Sequence, residues 1–168
     1  MIIATLGGVT VGLGVLLRVL ILWYPGWGSL QKNALHHAAA LVPFLIGSAY
    51  GMLGILTGMG LIGGAFDTAL WASNWLGDAA LWIGVGEDIG QAAGTTFQPL
   101  NVYGNCLMVL GTVAFFTAIR LERYRQELVM GGWCGLCLGT SSTVAGLMAV
   151  PLAQGVNWLG ATVYGPFA

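Results

Sequence analysis

Asp67, Asn74 and Asp78 recur at spacings that bring them to one line of a helix. At about 100° per residue Asp67 and Asp78 fall about 20° apart, Trp71, Asn74 and Trp82 continue the stripe, and Glu87 and Asp88 flank it. Carboxylates and a carboxamide on one face can relay protons or hold an ion. In a bilayer core a carboxylate costs roughly 2.5 to 3.5 kcal/mol on insertion scales, so such a face turns toward a bundle interior, a wet cavity or a cation. Arg18 is the cation inside an apolar run: buried together at one depth, Asp78 and Arg18 are expected to form a charge-assisted pair, whereas an unpaired Asp78 is expected to take up a proton. Two readings follow. One is a proton or ion path through Asp67, Asn74, Asp78 and Arg18. The other, favoured because tryptophan bulk blocks a wet channel while indole N–H groups bond carboxylates, packs the stripe against neighbouring helices.

Cys134 and Cys137 form a Cys-Gly-Leu-Cys motif, a spacing used by thiol oxidoreductases and metal sites. A quinone-linked relay needs a second cysteine pair, and only Cys106 remains, on a different segment. Two thiols also fall short of the four ligands of a structural zinc site, so small packing residues are the expectation and no metal is assigned. His36 and His37 point about 100° apart on a helix, so one of them at most can ligate a haem or chlorophyll, and the second axial ligand of that haem or pigment must come from a partner. Helix-opening polar residues are the expected role.

The segments that position these residues are written in the composition. The chain has five basic and six acidic residues among 168, is 57% hydrophobic, and has a mean hydropathy of +0.84. A soluble domain carries about a quarter of its residues charged, so lipid must serve as solvent here. The expected fold is an all-α, polytopic membrane helix bundle, a single domain with short loops. Its five spans fall near residues 2–23, 38–62, 68–85, 103–119 and 129–153, and an interfacial tail near 157–168. The first run lacks a basic n-region and outruns a signal-peptide core, so it reads as a retained helix. No lysine falls in a span, which excludes a Schiff-base cofactor inside the membrane.

Arg120, Arg123 and Arg125 outweigh Arg18 and Lys32, so the 120–127 loop is expected in the cytoplasm. With five spans the N-terminus shares that side. The alternating charges of that loop suit a helical extension or a grip for a soluble partner. Trp23, Tyr24 and Trp27 form an interfacial belt broken by Pro25 and Gly26. The 28 glycines include Gly8/Gly12, Gly54/Gly58 and Gly60/Gly64, spaced by four as close helix packing requires. No inverted repeat relates the halves, and an odd span number does not divide. No Walker sequence is present, and the few basic residues make no phosphate patch, so nucleotide and nucleic-acid partners are excluded.

Leu41-Val42-Pro43, Tyr50, Met52 and Gly58-Met59-Gly60, with Trp71-Ala72 and Trp75-Leu76, resemble helices of archaeal rhodopsins over under a third of the chain. No lysine stands where the retinal Schiff base would form, so the resemblance implies no retinal site. The expected function is an accessory or structural subunit of a larger membrane complex, energy-transducing in the first instance. Its partners are other membrane subunits and bilayer lipid, and by itself it is not an enzyme. The alternatives are a small homo-oligomeric channel or proton-coupled transporter, and a thiol oxidoreductase using Cys134 and Cys137.

Overall fold

The computed structural model describes residues 5–24, 27–57, 60–86, 100–120, 124–139, 141 and 144–167. They form six α-helices, with a terminal 3-10 turn over Gly165–Phe167: α1 Leu6–Trp23, α2 Trp27–Leu56, α3 Gly60–Val85, α4 Val102–Arg120, α5 Arg125–Gly139 and α6 Val144–Tyr164. Three stretches, Leu6–Trp23, Ala39–Leu56 and Val102–Arg120, are long and apolar enough to cross a membrane. Helix limits follow local chemistry. Tyr24 leaves the helical region ahead of Pro25, whose ring disfavours α geometry in the preceding residue. Gly86, at φ 73°, closes α3 in a left-handed cap whose N–H bonds Trp82 O at 3.1 Å.

The stretch 129–153, expected as one span, is divided between α5 and α6. Ser141 ends α5: its N–H and its hydroxyl both bond Leu138 O, at 3.1 and 2.7 Å, the turn chemistry by which hydroxyl residues compete with a helix. Thr57 ends α2 in the same way on Gly54 O. The segment after Asn157 continues as helix to Tyr164 rather than lying apart as a tail. His36 and His37 fall inside α2 rather than opening it, and their side chains, like Glu87 and Asp88, lie outside the described residues.

Helices α2 and α5 form the centre and run in the same direction. Their contact is built from glycines. A Cβ on Gly47 would overlap Leu128 O, and one on Gly131 would overlap Phe44 O; likewise Gly51 meets Gly132 O, and Gly135 meets Ser48 O. These contacts are reciprocal: exchanging the two helices maps Gly47 on Gly131, Phe44 on Leu128, Gly51 on Gly135 and Ser48 on Gly132. A pseudo-two-fold axis therefore runs along the α2–α5 seam. Among the described residues the helices fall into a direct repeat of three, α1–α2–α3 and α4–α5–α6, a relation different in kind from the inverted repeat that the sequence lacks. An even number of helices divides where five spans did not.

Helix α1 runs against α5, with Gly12 on Cys137 and Leu138 and Arg18 on Met130. The start of α1 and the start of α5 therefore stand at opposite ends of the bundle. A count of five spans gives the N-terminus and the 120–127 loop one side; the helix directions set the starts of α1 and α5 at opposite ends of the described bundle. Arg18, Arg120, Arg125 and helical position 32 gather at the α5-start end, while Thr5 and Asp78 lie at the other. Arg123 is outside the described residues.

The core has two centres. Val9, Phe44, Ile55, Leu70, Cys134, Leu136 and Leu138 form one, and Leu56, Leu100, Ala149 and Ala153 the other.

Candidate functional site

The polar stripe of α3 is split by the fold. Asn74 and Ser73 are buried and Asp78 is half-buried against α1, but Trp71 and Trp82 point outward. Asp67 is half-buried about 16 Å along the axis from Asp78, too far to share a proton or ion with it. The stripe was expected to turn inward as a whole. Its tryptophans instead lie exposed on the outer face of α3.

Asn74 and Asp78 converge on Thr5, the N-cap of α1. The Thr5 N–H donates to Asn74 Oδ1 at 3.2 Å, the Thr5 hydroxyl donates to Asp78 Oδ1 at 2.7 Å, and that hydroxyl accepts from Gly8 N–H at 3.2 Å. A helix start leaves backbone donors without intrahelical partners and carries partial positive charge, so a carboxylate is stabilised there. That is the partner of Asp78. Arg18 stands 13 residues further along α1, about 20 Å by helical rise, and its guanidinium lies against Met130 Sδ at 3.8 Å. The expected Asp78–Arg18 pair does not form.

The second repeat carries the same device. Asn101 caps α4: its N–H donates to Asn157 Oδ1 at 2.9 Å, and its own Oδ1 accepts from Gly104 N–H at 2.7 Å. Gly77 packs on the backbone of Gly7, and Gly160 on that of Tyr103. Both reaching asparagines stand in the tetrapeptide Asn-Trp-Leu-Gly, at 74–77 and 157–160, with Trp75 and Trp158 exposed in each. The duplicates differ for a chemical reason. The Thr5 hydroxyl accepts from Gly8 N–H and donates its proton to Asp78; the Asn101 cap accepts from Gly104 N–H through its carboxamide oxygen and has no hydroxyl proton, and Ala161 follows Gly160 where Asp78 follows Gly77.

The cysteines divide between the interior and the surface. Cys134 and Cys137 are free thiols buried beside α1, Cys134 directing its thiol to Gly12 O at 3.6 Å and Cys137 sharing a side-chain hydrogen bond with Ser73. Cys106 is exposed on α4. At the position equivalent to Cys134 stands Tyr50, whose hydroxyl donates to Thr112 Oγ1 at 3.1 Å, which in turn donates to Met108 O at 2.8 Å. The partner carbonyls, Gly12 O and Met108 O, are equivalent as well. Gly12 lets α1 approach α5 so closely that a Cβ there would lie 2.9 Å from Cys137 Cβ; Met108 holds α4 off, and a longer tyrosine-threonine bridge spans the gap.

Two clefts complete the symmetry. One, of about 460 Å³ between α1, α2 and α5, is lined by Arg18, Val19, Leu22, Phe44 and Met130, with Glu127 on its wall. The other, of about 470 Å³ between α4, α5 and α2, is lined at the equivalent positions by Ala114, Phe115, Ala118, Leu128 and Ile46. Sequence reasoning missed both the central glycines and the repeat; the twice-written Asn-Trp-Leu-Gly is the signal that reveals them. Comparison with protein-family models, with curated proteins and with solved structures finds no match for this chain.

Proposed function

We propose that the chain is an integral membrane protein that serves as an accessory, structural subunit of a larger membrane complex. The observation that carries this reading is the closed seam between the repeats. Transporters built from parallel repeats hold substrate between them, whereas here α2 and α5 meet backbone to backbone through Gly47, Gly51, Gly131 and Gly135. Beside that seam the Tyr50 hydroxyl bonds Thr112 Oγ1 and the Cys134 thiol bonds Gly12 O. The outer faces add support, since Gly14, Gly64, Gly111 and Gly155 stand over open space. A mid-helix glycine costs roughly 0.5 to 1 kcal/mol relative to alanine, a cost that a closely docked neighbouring helix offsets.

Mild solubilisation of native membranes followed by blue-native electrophoresis of the tagged chain is expected to give a heteromeric band. Gly64→Leu and Gly111→Leu remain folded but leave it. A lone homo-oligomer sinks the proposal. Ion flux in liposomes holding the purified chain alone, abolished by Asp78→Asn, favours the channel reading instead.

The gathered basic residues orient the chain in this reading. Arg18, position 32, Arg120 and Arg125 face the cytoplasm and the start of α1 faces the opposite side, in keeping with retention of Lys and Arg within. Epitopes placed ahead of Thr5 and between Arg120 and Arg125 are expected to be cleaved by protease from opposite faces of sealed vesicles. Cleavage of both from one face rejects this orientation.

A further inference from the structure

The paired clefts supply an internal control. The fold needs no charge at either position: the second cleft is lined by Ala114 where the first has Arg18, and the α2 position equivalent to Glu127 is Pro43, which does not line the second cleft. The arginine and glutamate are therefore additions to a cleft that is already complete without them. They are also not there for each other. The guanidinium reaches Met130 Sδ at 3.8 Å, Glu127 lies one turn before Met130 on α5, and the two charges face one cleft without closing an ion pair. A cation and an anion thus line one cleft of about 460 Å³.

The level of this cleft in the bundle narrows what fits. Arg18 stands about 8 Å along the axis from Trp23, which also lines the cleft, and Trp23 ends an apolar helix where an aromatic belt is expected. An arginine one to two turns inside the membrane boundary extends its head toward the headgroups while its stem lies on apolar surface. Val19, Leu22 and Phe44 give the cleft apolar walls suited to acyl chains.

We propose that this cleft binds a glycerophospholipid whose headgroup carries a primary ammonium, of the ethanolamine type, with the phosphate on Arg18 and the ammonium on Glu127. Arginine is the residue suited to fork onto phosphate oxygens. A primary ammonium has N–H donors for a carboxylate, which the quaternary ammonium of choline lacks, and a glycerol headgroup leaves Glu127 facing no cation. The proposal rests on the membrane reading above.

The test uses the full chain, extracted in detergent with whatever assembles with it, and offers ethanolamine, choline and glycerol phospholipids of matched acyl chains in mixed micelles. Retained lipid is read by native mass spectrometry. The ethanolamine lipid is expected to be retained about tenfold over the others, the ratio that one charge-assisted hydrogen bond confers. Arg18→Ala, which installs the residue of the equivalent cleft, removes retention while leaving the lipid-free melting midpoint unchanged. Glu127→Gln keeps retention but abolishes the headgroup preference. Equal retention of all three lipids by the unaltered chain overturns the proposal, as does retention of inorganic phosphate equal to that of the ethanolamine lipid. Recovery of the chain in the soluble fraction of cells refutes the membrane reading itself; a membrane-bound chain without the preference refutes only the site.

Discussion

Gly135→Ala is expected to destabilise the folded chain by about 3 kcal/mol, at the upper end of the range for overpacking. The added methyl would enter the carbonyl of Ser48, and Ser48 is backbone of the facing helix, so no side-chain rotation makes room. The helices must part, and the contacts from Phe44–Gly131 to Met52–Gly139 loosen together. Gly51→Ala should cost about as much, because Gly51 meets Gly132 O in the reciprocal position. The double variant should fall short of the sum, since one separation relieves both collisions. Gly64→Ala and Gly155→Ala place the same methyl in open space and should shift stability by no more than about 1 kcal/mol, toward the alanine. Helicity of the purified chain followed by circular dichroism through a denaturing-detergent titration measures all five. Equal midpoints for Gly135→Ala and Gly64→Ala would falsify the seam as the element that holds the halves together.

Asn74→Leu should cost about 2 to 4 kcal/mol and release the start of α1, by leaving the Thr5 N–H without its acceptor and pressing a branched side chain on Gly8. The repeat makes the claim sharper. Asn157→Leu should do the same to α4, whose cap makes the matching bond at 2.9 Å. Asp78→Asn keeps an oxygen for the Thr5 hydroxyl and loses only charge at a helix N-terminus, about 0.3 to 1 kcal/mol. Asp78→Ala strands that hydroxyl and costs more. The double variant Thr5→Asn with Asp78→Ala copies the second repeat, Asn101 with Ala161, and should recover most of the loss. Proteolysis of the N-terminal segment and the unfolding midpoint read the cycle; if the double variant is as unstable as Asp78→Ala alone, the equivalence of the two caps is wrong.

These caps show how far residue identity carries and where it stops. Asp78 stands out in the sequence because a carboxylate in an apolar run needs a partner, and it has one. The partner was sought among cations and found at a helix end, whose partial charges belong to the backbone and appear in no residue letter. The angular phase of Asp67, Trp71, Asn74 and Asp78 follows from helix geometry, but which part of that arc meets α1 depends on where Gly7 and Gly77 let two backbones touch. The hydroxyl-rich stretch after Gly139 was legible as a helix stop and lost to the apolar weight on either side of it.

Composition alone determined that this is a helical chain with helices apolar enough to cross a membrane, because scarce charge and long apolar runs admit few other solvents. Periodicity determined which residues share a helical face. The tertiary structure decided the rest. The reciprocity of Gly47 with Gly131 and Gly51 with Gly135 exists only between two helices brought side by side, and it turned a repeated Asn-Trp-Leu-Gly into evidence of two equivalent halves. The direction of α1 against α5 placed Arg18 on a cleft shared with Glu127 and far from Asp78. Direction is a property of packing, and no one-dimensional count of spans or charges contains it.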